Sequence, residues 1–162
     1  MQTTRVIAAL LVLLAGTAPA EAAREGPAAA PGNRRLADFT LPSLDGEAVS
    51  LRDFRGRKPV LLVFWASWCP ECMAAIPEIK ALHDGPAGGR LQILALDFRE
   101  SREKVAAVVK SHGIRYPVLL DERGTVARDF GIVGIPTYIV VGKDGAVAYR
   151  ANVLPGDLSA YL

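Results

Sequence analysis

An unbroken apolar run, PVLLVFWA, occupies residues 59–66 and is the feature that most restricts the possible folds of this chain. Its length suits one β-strand, and its lack of polar residues suits a strand that is buried on both faces. Such a strand needs a layer of structure on each side. A second run, RLQILALDF at 90–98, predicts another buried strand. With 162 residues, the chain is long enough for one domain of this kind.

Two helices are predicted around these strands. Residues 70–85 form the first helix, in which Pro70 occupies the first turn, where no amide donor is needed. Pro77 lies inside this helix and should kink it. Residues 101–113 form an amphipathic second helix that ends at Gly113.

Hairpins are predicted near both ends of the domain. Residues 36–54 alternate apolar and polar positions around a turn at 45–46, and residues 135–151 contain two strand runs around a turn at 143–145. A short strand and a short helix lie between 114 and 131, and a last helix is expected from Pro155 onward. This order predicts an α/β fold with a central mixed sheet flanked by helices on both faces.

The first 35 residues differ from the rest of the chain. Arg5 precedes an apolar run at 6–15, and the Ala-Pro-Ala at 18–20 fits the cleavage pattern of a secretory signal. The run is shorter than the roughly 20 residues that a membrane span needs. We therefore predict a signal peptide over 1–20 and a flexible linker over 21–35. An uncleaved anchor, which would hold the domain at the outer face of a membrane, is the alternative.

The formal net charge is +2, and the basic residues form no long block. A charge of this size does not favour nucleic acid as a partner. Export has a further consequence, because cysteine pairs tend to be oxidised outside the cytoplasm.

The only two cysteines, Cys69 and Cys72, stand at the predicted start of the first helix. A disulfide between them closes a loop too short to stabilise the fold much through the entropy of the unfolded chain. The helix N-terminus favours a thiolate, so Cys69 is the predicted nucleophile. Cys72 lies one turn further on and should be the deeper, resolving thiol. Trp68 is expected at the rim of the site, and Trp65 in the core.

A metal is the competing use of this cysteine spacing. Tetrahedral zinc needs four ligands, and the two cysteines supply half of them. His83 and His112 fall near predicted helix ends and are interpreted as solvated residues. A two-coordinate copper(I) site on the two sulfurs remains open.

A second motif, GIVGIPTYIV, places Ile135 and Pro136 directly before a strand. Proline at this position removes a hydrogen-bond donor from the sheet. From the residues alone, an ordinary trans bond is the expectation. A cis bond would leave the backbone of Ile135 open to pair with an extended partner chain.

Taken together, these motifs resemble the thioredoxin superfamily, and most closely its exported TlpA/ResA-like thiol-disulfide oxidoreductases. FWASWCPEC is similar to their active-site strand and helix start, Pro77 to their helix-kinking proline, and GIPTYIV to the loop that carries their cis-proline. The leading segment at 38–65 resembles the N-terminal hairpin that this branch shares with peroxiredoxins. The resemblance covers about residues 36–162 and implies a thioredoxin-like domain there, with a cis Ile135-Pro136 bond. It also implies substrate contacts at Trp68, Pro70, Ile135 and Pro136.

Peroxidase chemistry is disfavoured by two residues before the cysteines. The peroxidatic cysteine of a peroxiredoxin has threonine or serine three residues before it, and proline earlier still. Here Ala66 and Leu62 occupy those positions.

The chain also departs from its relatives in its acidic residues. Many relatives carry a carboxylate that takes the proton from the resolving thiol, at positions that are Val63 and Ala75 here. Glu71, between the cysteines, is the nearest substitute, and Asp97 at the end of the next strand is a weaker one. Glu71 is equally well interpreted as a solvated residue that complements the helix dipole.

Glu71 also bears on the direction of electron transfer. A carboxylate between the cysteines disfavours a nearby thiolate by like-charge repulsion, which predicts a reducing dithiol. The resemblance then implies a membrane thiol transporter as electron donor and protein disulfides, such as those of apocytochrome c, as substrates. We expect a monomer that needs no cofactor. A dithiol oxidase or isomerase and a non-enzymatic copper(I) carrier remain the alternatives.

Overall fold

The computed structural model describes residues 35–162, so the predicted signal peptide and nearly all of the predicted linker lie outside the described residues. The strands are β1 (Thr40–Pro42), β2 (Ala48–Ser50), β3 (Val60–Trp65), β4 (Gln92–Phe98), β5 (Val118–Asp121), β6 (Thr137–Val141) and β7 (Val147–Ala151). The helices are α1 (Pro70–Asp84), α2 (Arg102–His112) and α3 (Thr125–Asp129). Two 3₁₀ helices lie at Leu51–Phe54 and Ser159–Tyr161.

The central sheet has five strands in the order β5-β4-β3-β6-β7. Strand β3 pairs in parallel with β4, which pairs in parallel with β5, whereas β6 and β7 are antiparallel to their neighbours. All six residues of β3 are buried, because the strand lies in the middle and has a packed layer on each face. The prediction of a mixed sheet around this apolar run is confirmed.

Alternate residues of β3 pack into two separate cores. Leu61, Val63 and Trp65 lie in the core that also contains Cys72 and residues of α1. The intervening side chains of β3 lie in the other core, with those of α3. The two-residue period of a strand therefore decides that Trp65 faces the cysteines.

Helix α1 begins and ends where its sequence signals are. Pro70 is its first residue, and Cys69 is its N-cap. The helix continues through Pro77 to Asp84 and ends at Gly85. Helix α2 ends at Gly113, which has a φ of 59° and therefore the left-handed conformation that glycine adopts at little cost.

The N-terminal hairpin forms a separate two-stranded antiparallel sheet. Gly46 has a φ of 90° at its turn, as expected for a hairpin connection. The turn is held to the domain by Arg102 of α2, which donates to the carbonyls of Ser43 and Leu44. Arg35, the last residue of the predicted linker, makes an isolated bridge with Ala146.

The predicted C-terminal helix is wrong. In its place is the 3₁₀ helix at Ser159–Tyr161. The Asp157 carboxylate accepts hydrogen bonds from both the amide and the hydroxyl of Ser159, at 2.7 and 2.9 Å. This local side-chain turn competes with an α-helical start at Pro155. Within residues 35–162, no helix is both long and apolar enough to cross a bilayer.

Candidate active site

Cys69 and Cys72 form a disulfide at the N-terminus of α1, with their Cα atoms 5.2 Å apart. The Cys69 sulfur accepts a hydrogen bond from the amide of Cys72 at 3.2 Å, and so acts as the side-chain cap of the helix. Amides in the first turn of a helix have no partner within the helix and carry its positive end. The sulfur that holds this position is therefore the one on which negative charge is best stabilised.

The prediction that Cys72 is buried more deeply than Cys69 is wrong for this oxidised form. Cys69 and Cys72 are each 3% exposed. The disulfide keeps both sulfurs together under the surrounding loops, and the Cys69 sulfur lies 3.7 Å from the carbonyl oxygen of Ile135. Trp68 is 58% exposed and Trp65 4%, which agrees with a rim position for the first and a core position for the second.

The loop before β6 faces the Cys69 sulfur with its backbone. The Ile135-Pro136 bond is cis, as the resemblance implied. The Asn152 side chain donates to the carbonyl of Pro136 at 2.7 Å and to the Thr137 hydroxyl at 3.1 Å, so the residue that follows β7 holds this loop. Of the two carbonyls of this dipeptide, that of Pro136 is occupied by Asn152, and that of Ile135 faces the disulfide.

A cavity of about 10 Å³ lies behind Cys72. Val63, Ala95 and aromatic side chains line it, among them Tyr116 and Tyr138. Burial raises the pKa of Tyr138 to about 12 and that of Tyr116 still higher. Neither phenol is ionised at neutral pH, so the wall next to Cys72 offers no carboxylate and no phenolate base.

The buried carboxyl groups near the cysteines are those of Asp97 and Glu100. Asp97 is fully buried at the end of β4, and Glu100 is 5% exposed in the connection to α2. Glu100 accepts two hydrogen bonds from Ser67, from the amide at 2.5 Å and from the hydroxyl at 2.6 Å. Ser67 lies two residues before Cys69, so Glu100 holds the loop that leads into the CxxC motif. Lys104 pairs with Glu100 at 3.2 Å.

The two buried carboxyls have opposite pKa shifts. Burial, together with hydrogen bonding to and repulsion from Glu100, raises the pKa of Asp97 to about 8. Burial alone would also raise the pKa of Glu100, but hydrogen bonds from Ser67, Asp97 and Lys104 together hold it below its usual range. At neutral pH the pair thus contains one protonated and one ionised carboxyl.

Glu71 lies in the first turn of α1 and is exposed. The structure places Asp97, the weaker sequence candidate, in the low-dielectric interior and leaves Glu71 at the surface. The proton-relay role of Glu71 stays a prediction. Glu100 was missed from the sequence, although parallel strands β3 and β4 bring their carboxyl ends to the same edge of the sheet, where an acid after β4 can meet the loop after β3.

The histidines named as possible metal ligands lie apart from the cysteines. His83 is in the last turn of α1, with its ring edge against Tyr116, and His112 is the last residue of α2. Within residues 35–162, no three His, Cys, Asp or Glu side chains are grouped as metal ligands.

A thioredoxin-like fold with a CxxC disulfide at a helix start, next to a cis-proline loop, defines the class of protein to which this chain belongs. The AhpC/TSA family model matches residues 33–150, and the chain is a member of that family. Peroxidase chemistry remains disfavoured by Ala66 and Leu62, as argued above.

Relatives within this class are named for thiol-disulfide exchange. The chain is 31% identical over 144 residues to the thiol-disulfide oxidoreductase ResA of Geobacillus thermodenitrificans, covering 89% of this chain and 82% of that protein. It is 33% identical over 110 residues to the ResA protein of Bacillus thuringiensis, covering 68% of this chain. The match spans 63% of the length of that relative. A thiol-disulfide oxidoreductase structure from Bacteroides fragilis superposes with a TM-score of 0.68 at 26% identity, covering 78% of this chain and 96% of that one.

Proposed function

We propose that this chain is an exported thiol-disulfide oxidoreductase that reduces protein disulfides through Cys69 and Cys72. The observation that carries the proposal is the disulfide at the start of α1, with the Ile135 carbonyl 3.7 Å from the Cys69 sulfur. A redox dithiol needs a sulfur stabilised as thiolate and a second sulfur within bonding distance. The names of the ResA relatives support thiol-disulfide exchange as the chemistry.

The reaction consists of two exchanges. The Cys69 thiolate attacks one sulfur of a client disulfide, so that a mixed disulfide forms and the other client sulfur leaves as a thiolate. Cys72 then gives up its proton and attacks the Cys69 sulfur, which releases the second client thiolate and closes the Cys69–Cys72 disulfide. Two electrons pass from the protein to the client. In this cycle the oxidised form, with its Cys69–Cys72 disulfide, is the product.

The protein surface around the disulfide has a part in client binding. Trp68 and Pro70 are exposed beside it, and the cis Ile135-Pro136 segment presents backbone to an extended client chain. The proposed clients are exported protein disulfides, such as those of apocytochrome c. Their reduction outside the cytoplasm needs a membrane thiol transporter as electron donor and export by the segment at 1–20. The carboxylate of Glu71 supports the reducing direction.

Trapping tests the mechanism. A Cys72→Ser variant cannot resolve the mixed disulfide and should accumulate covalent complexes with clients through Cys69, whereas a Cys69→Ser control should accumulate none. A copper carrier would instead lose copper(I) in both variants and trap nothing.

The reduction potential tests the direction. Equilibration of the pair with glutathione should give a value near or below about −270 mV for a reductant. A value near about −120 mV would identify an oxidase and would contradict the argument from Glu71.

A further inference from the structure

The connection between β4 and α2 contacts the loop that leads into the CxxC motif, through residues that belong to no sequence motif. Asp97 is the register partner of Trp65 across β4 and β3, so both side chains share the sheet face that carries the cysteines. Glu100 follows three residues later and is also buried. Two acidic groups thus lie in the interior beside the loop at 66–69.

Glu100 holds the middle of that loop. Its two oxygens accept from the amide and the hydroxyl of Ser67 at 2.5 and 2.6 Å, a two-point contact that fixes orientation as well as distance. The loop itself is a turn in which the Cys69 amide donates to the Ala66 carbonyl at 3.2 Å. Since Ser67 is inside this turn, the Glu100 contact determines how the turn presents Cys69 to the first amides of α1.

Asp97 completes the arrangement through one oxygen and leaves the other free to carry a proton. Its Oδ1 accepts from the Glu100 amide at 3.2 Å. Its Oδ2 and the Trp65 Nε1 are the two buried side-chain polar atoms that lack a hydrogen-bond partner within residues 35–162. Repulsion between the two neighbouring buried carboxyls disfavours the ionisation of both, so the pair keeps one proton, on Asp97.

The other groups around Asp97 do not compete for this proton. Its strand partners are Trp65 on β3 and Leu120 on β5, and neither titrates. From α2, Lys104 pairs with Glu100, but its side chain is 64% exposed and therefore screened by water. Repulsion from Glu100 adds to the burial that raises the pKa of Asp97 to about 8.

We propose that Asp97 and Glu100 act as one positioning unit for Cys69 and couple its dithiol reaction to a proton. The inference rests on the proposed function and adds residues to it. Reduction breaks the S–S bond with two electrons and one proton from a donor dithiol, and leaves a thiol on Cys72 and a thiolate on Cys69. The thiolate repels an ionised Asp97, so the unit holds its proton more firmly in the reduced protein. By reciprocity, loss of that proton disfavours the thiolate.

The proton coupling is tested by the pH profile of Cys69 alkylation. The reduced full chain is treated with iodoacetamide between pH 5 and 10, and single alkylation is followed by mass spectrometry. The wild-type profile should have two inflections, one of them from the carboxyl pair. Asp97→Asn should remove that inflection. Glu100→Gln should shift the inflection to a lower pH, at a proton concentration about tenfold higher, because the negative charge that repels an ionised Asp97 is lost. Glu122→Gln, which removes an exposed carboxylate, is the control, and its profile should keep both inflections.

The positioning contact is tested by a double-mutant cycle on the equilibrium with glutathione. Ser67→Ala and Glu100→Gln should each change the equilibrium constant by about fivefold, the value of one hydrogen bond. The double variant should change it by less than the product of the two single effects, because both substitutions alter the bond between the Ser67 hydroxyl and Glu100. Ser67→Ala removes one oxygen from the loop, so it tests the contact even if Glu100→Gln impairs folding.

The possible outcomes separate this inference from the proposed function. An alkylation profile that is the same in wild type and Asp97→Asn, or single effects that multiply in the double variant, would overturn the positioning unit while leaving the dithiol activity in place. A wild-type protein that does not exchange with glutathione at all would overturn the proposed function itself.

Discussion

Replacing Asp97 by asparagine should change how the stability of the oxidised protein depends on pH. Asparagine has the shape of a protonated aspartate, and its side-chain oxygen can still accept from the Glu100 amide. The substitution therefore removes the titration of the buried group and leaves the hydrogen bond from the Glu100 amide in place.

The magnitude follows from the pKa of Asp97, which burial raises from 3.8 to about 8. Between these values the folded protein holds a proton that the unfolded chain has lost, so the free energy of unfolding falls as the pH rises. The slope is about 1.4 kcal/mol per pH unit. Between pH 5 and pH 7 the wild type should lose about 3 kcal/mol relative to Asp97→Asn. Glu100, whose pKa is lowered, contributes stability that is lost only below this interval, as the pH falls.

Urea unfolding of the oxidised proteins at pH 5, 6 and 7 measures this difference. The free-energy gap between Asp97→Asn and wild type should widen at each step, whereas Glu122→Gln should follow the wild type. A gap that stays constant from pH 5 to pH 7 would mean that Asp97 is already ionised in the folded protein. The inference that Asp97 keeps a proton at neutral pH would then be wrong.

Three further substitutions test other parts of the structure. Leu62→Ala, in the fully buried central strand, should lower the free energy of unfolding by about 2–5 kcal/mol in urea titrations, and a loss below about 1 kcal/mol would contradict its burial. Asn152→Ala should cost about 1–2 kcal/mol by the same assay, because the Pro136 carbonyl loses its donor; an unchanged midpoint would show that water replaces it. Glu71→Gln should lower the midpoint pH of Cys69 alkylation and make the pair less reducing toward glutathione, and a shift in the opposite direction would refute the like-charge argument.

The sequence predicted the fold well because its strongest signals are local. The apolar run of β3 admits one placement, in the middle of a sheet with two covered faces. Helix α1 is bounded by Pro70 and Gly85, whose backbone preferences act at single positions. The prediction of a C-terminal helix was wrong because a second local signal opposes the helical pattern. The Asp157 side chain forms a turn with Ser159, and the prediction did not take this turn into account.

The site was only partly predictable, because part of it is made by neighbours far apart in sequence. The cysteines stand next to each other in the chain, and their helix start could be seen. The contact between Ser67 and Glu100 joins residues 33 positions apart and depends on the parallel register of β3 and β4. The equal burial of the two cysteines likewise depends on the loop before β6, which no local pattern describes.

The position of the Asp97 carboxyl determines which of the two cysteines it can affect. Val63 and its register partner Ala95 form an apolar wall behind Cys72 and offer no carboxylate to the resolving thiol. In this chain the acid lies one pair further along the same sheet face, at Asp97, and its contacts run through Glu100 to the loop before Cys69. Because it reaches that loop by hydrogen bonds, its protonation should affect the attacking sulfur more than the resolving one. The pH dependence of the first exchange, in which the mixed disulfide forms, should therefore change more in Asp97→Asn than that of the second.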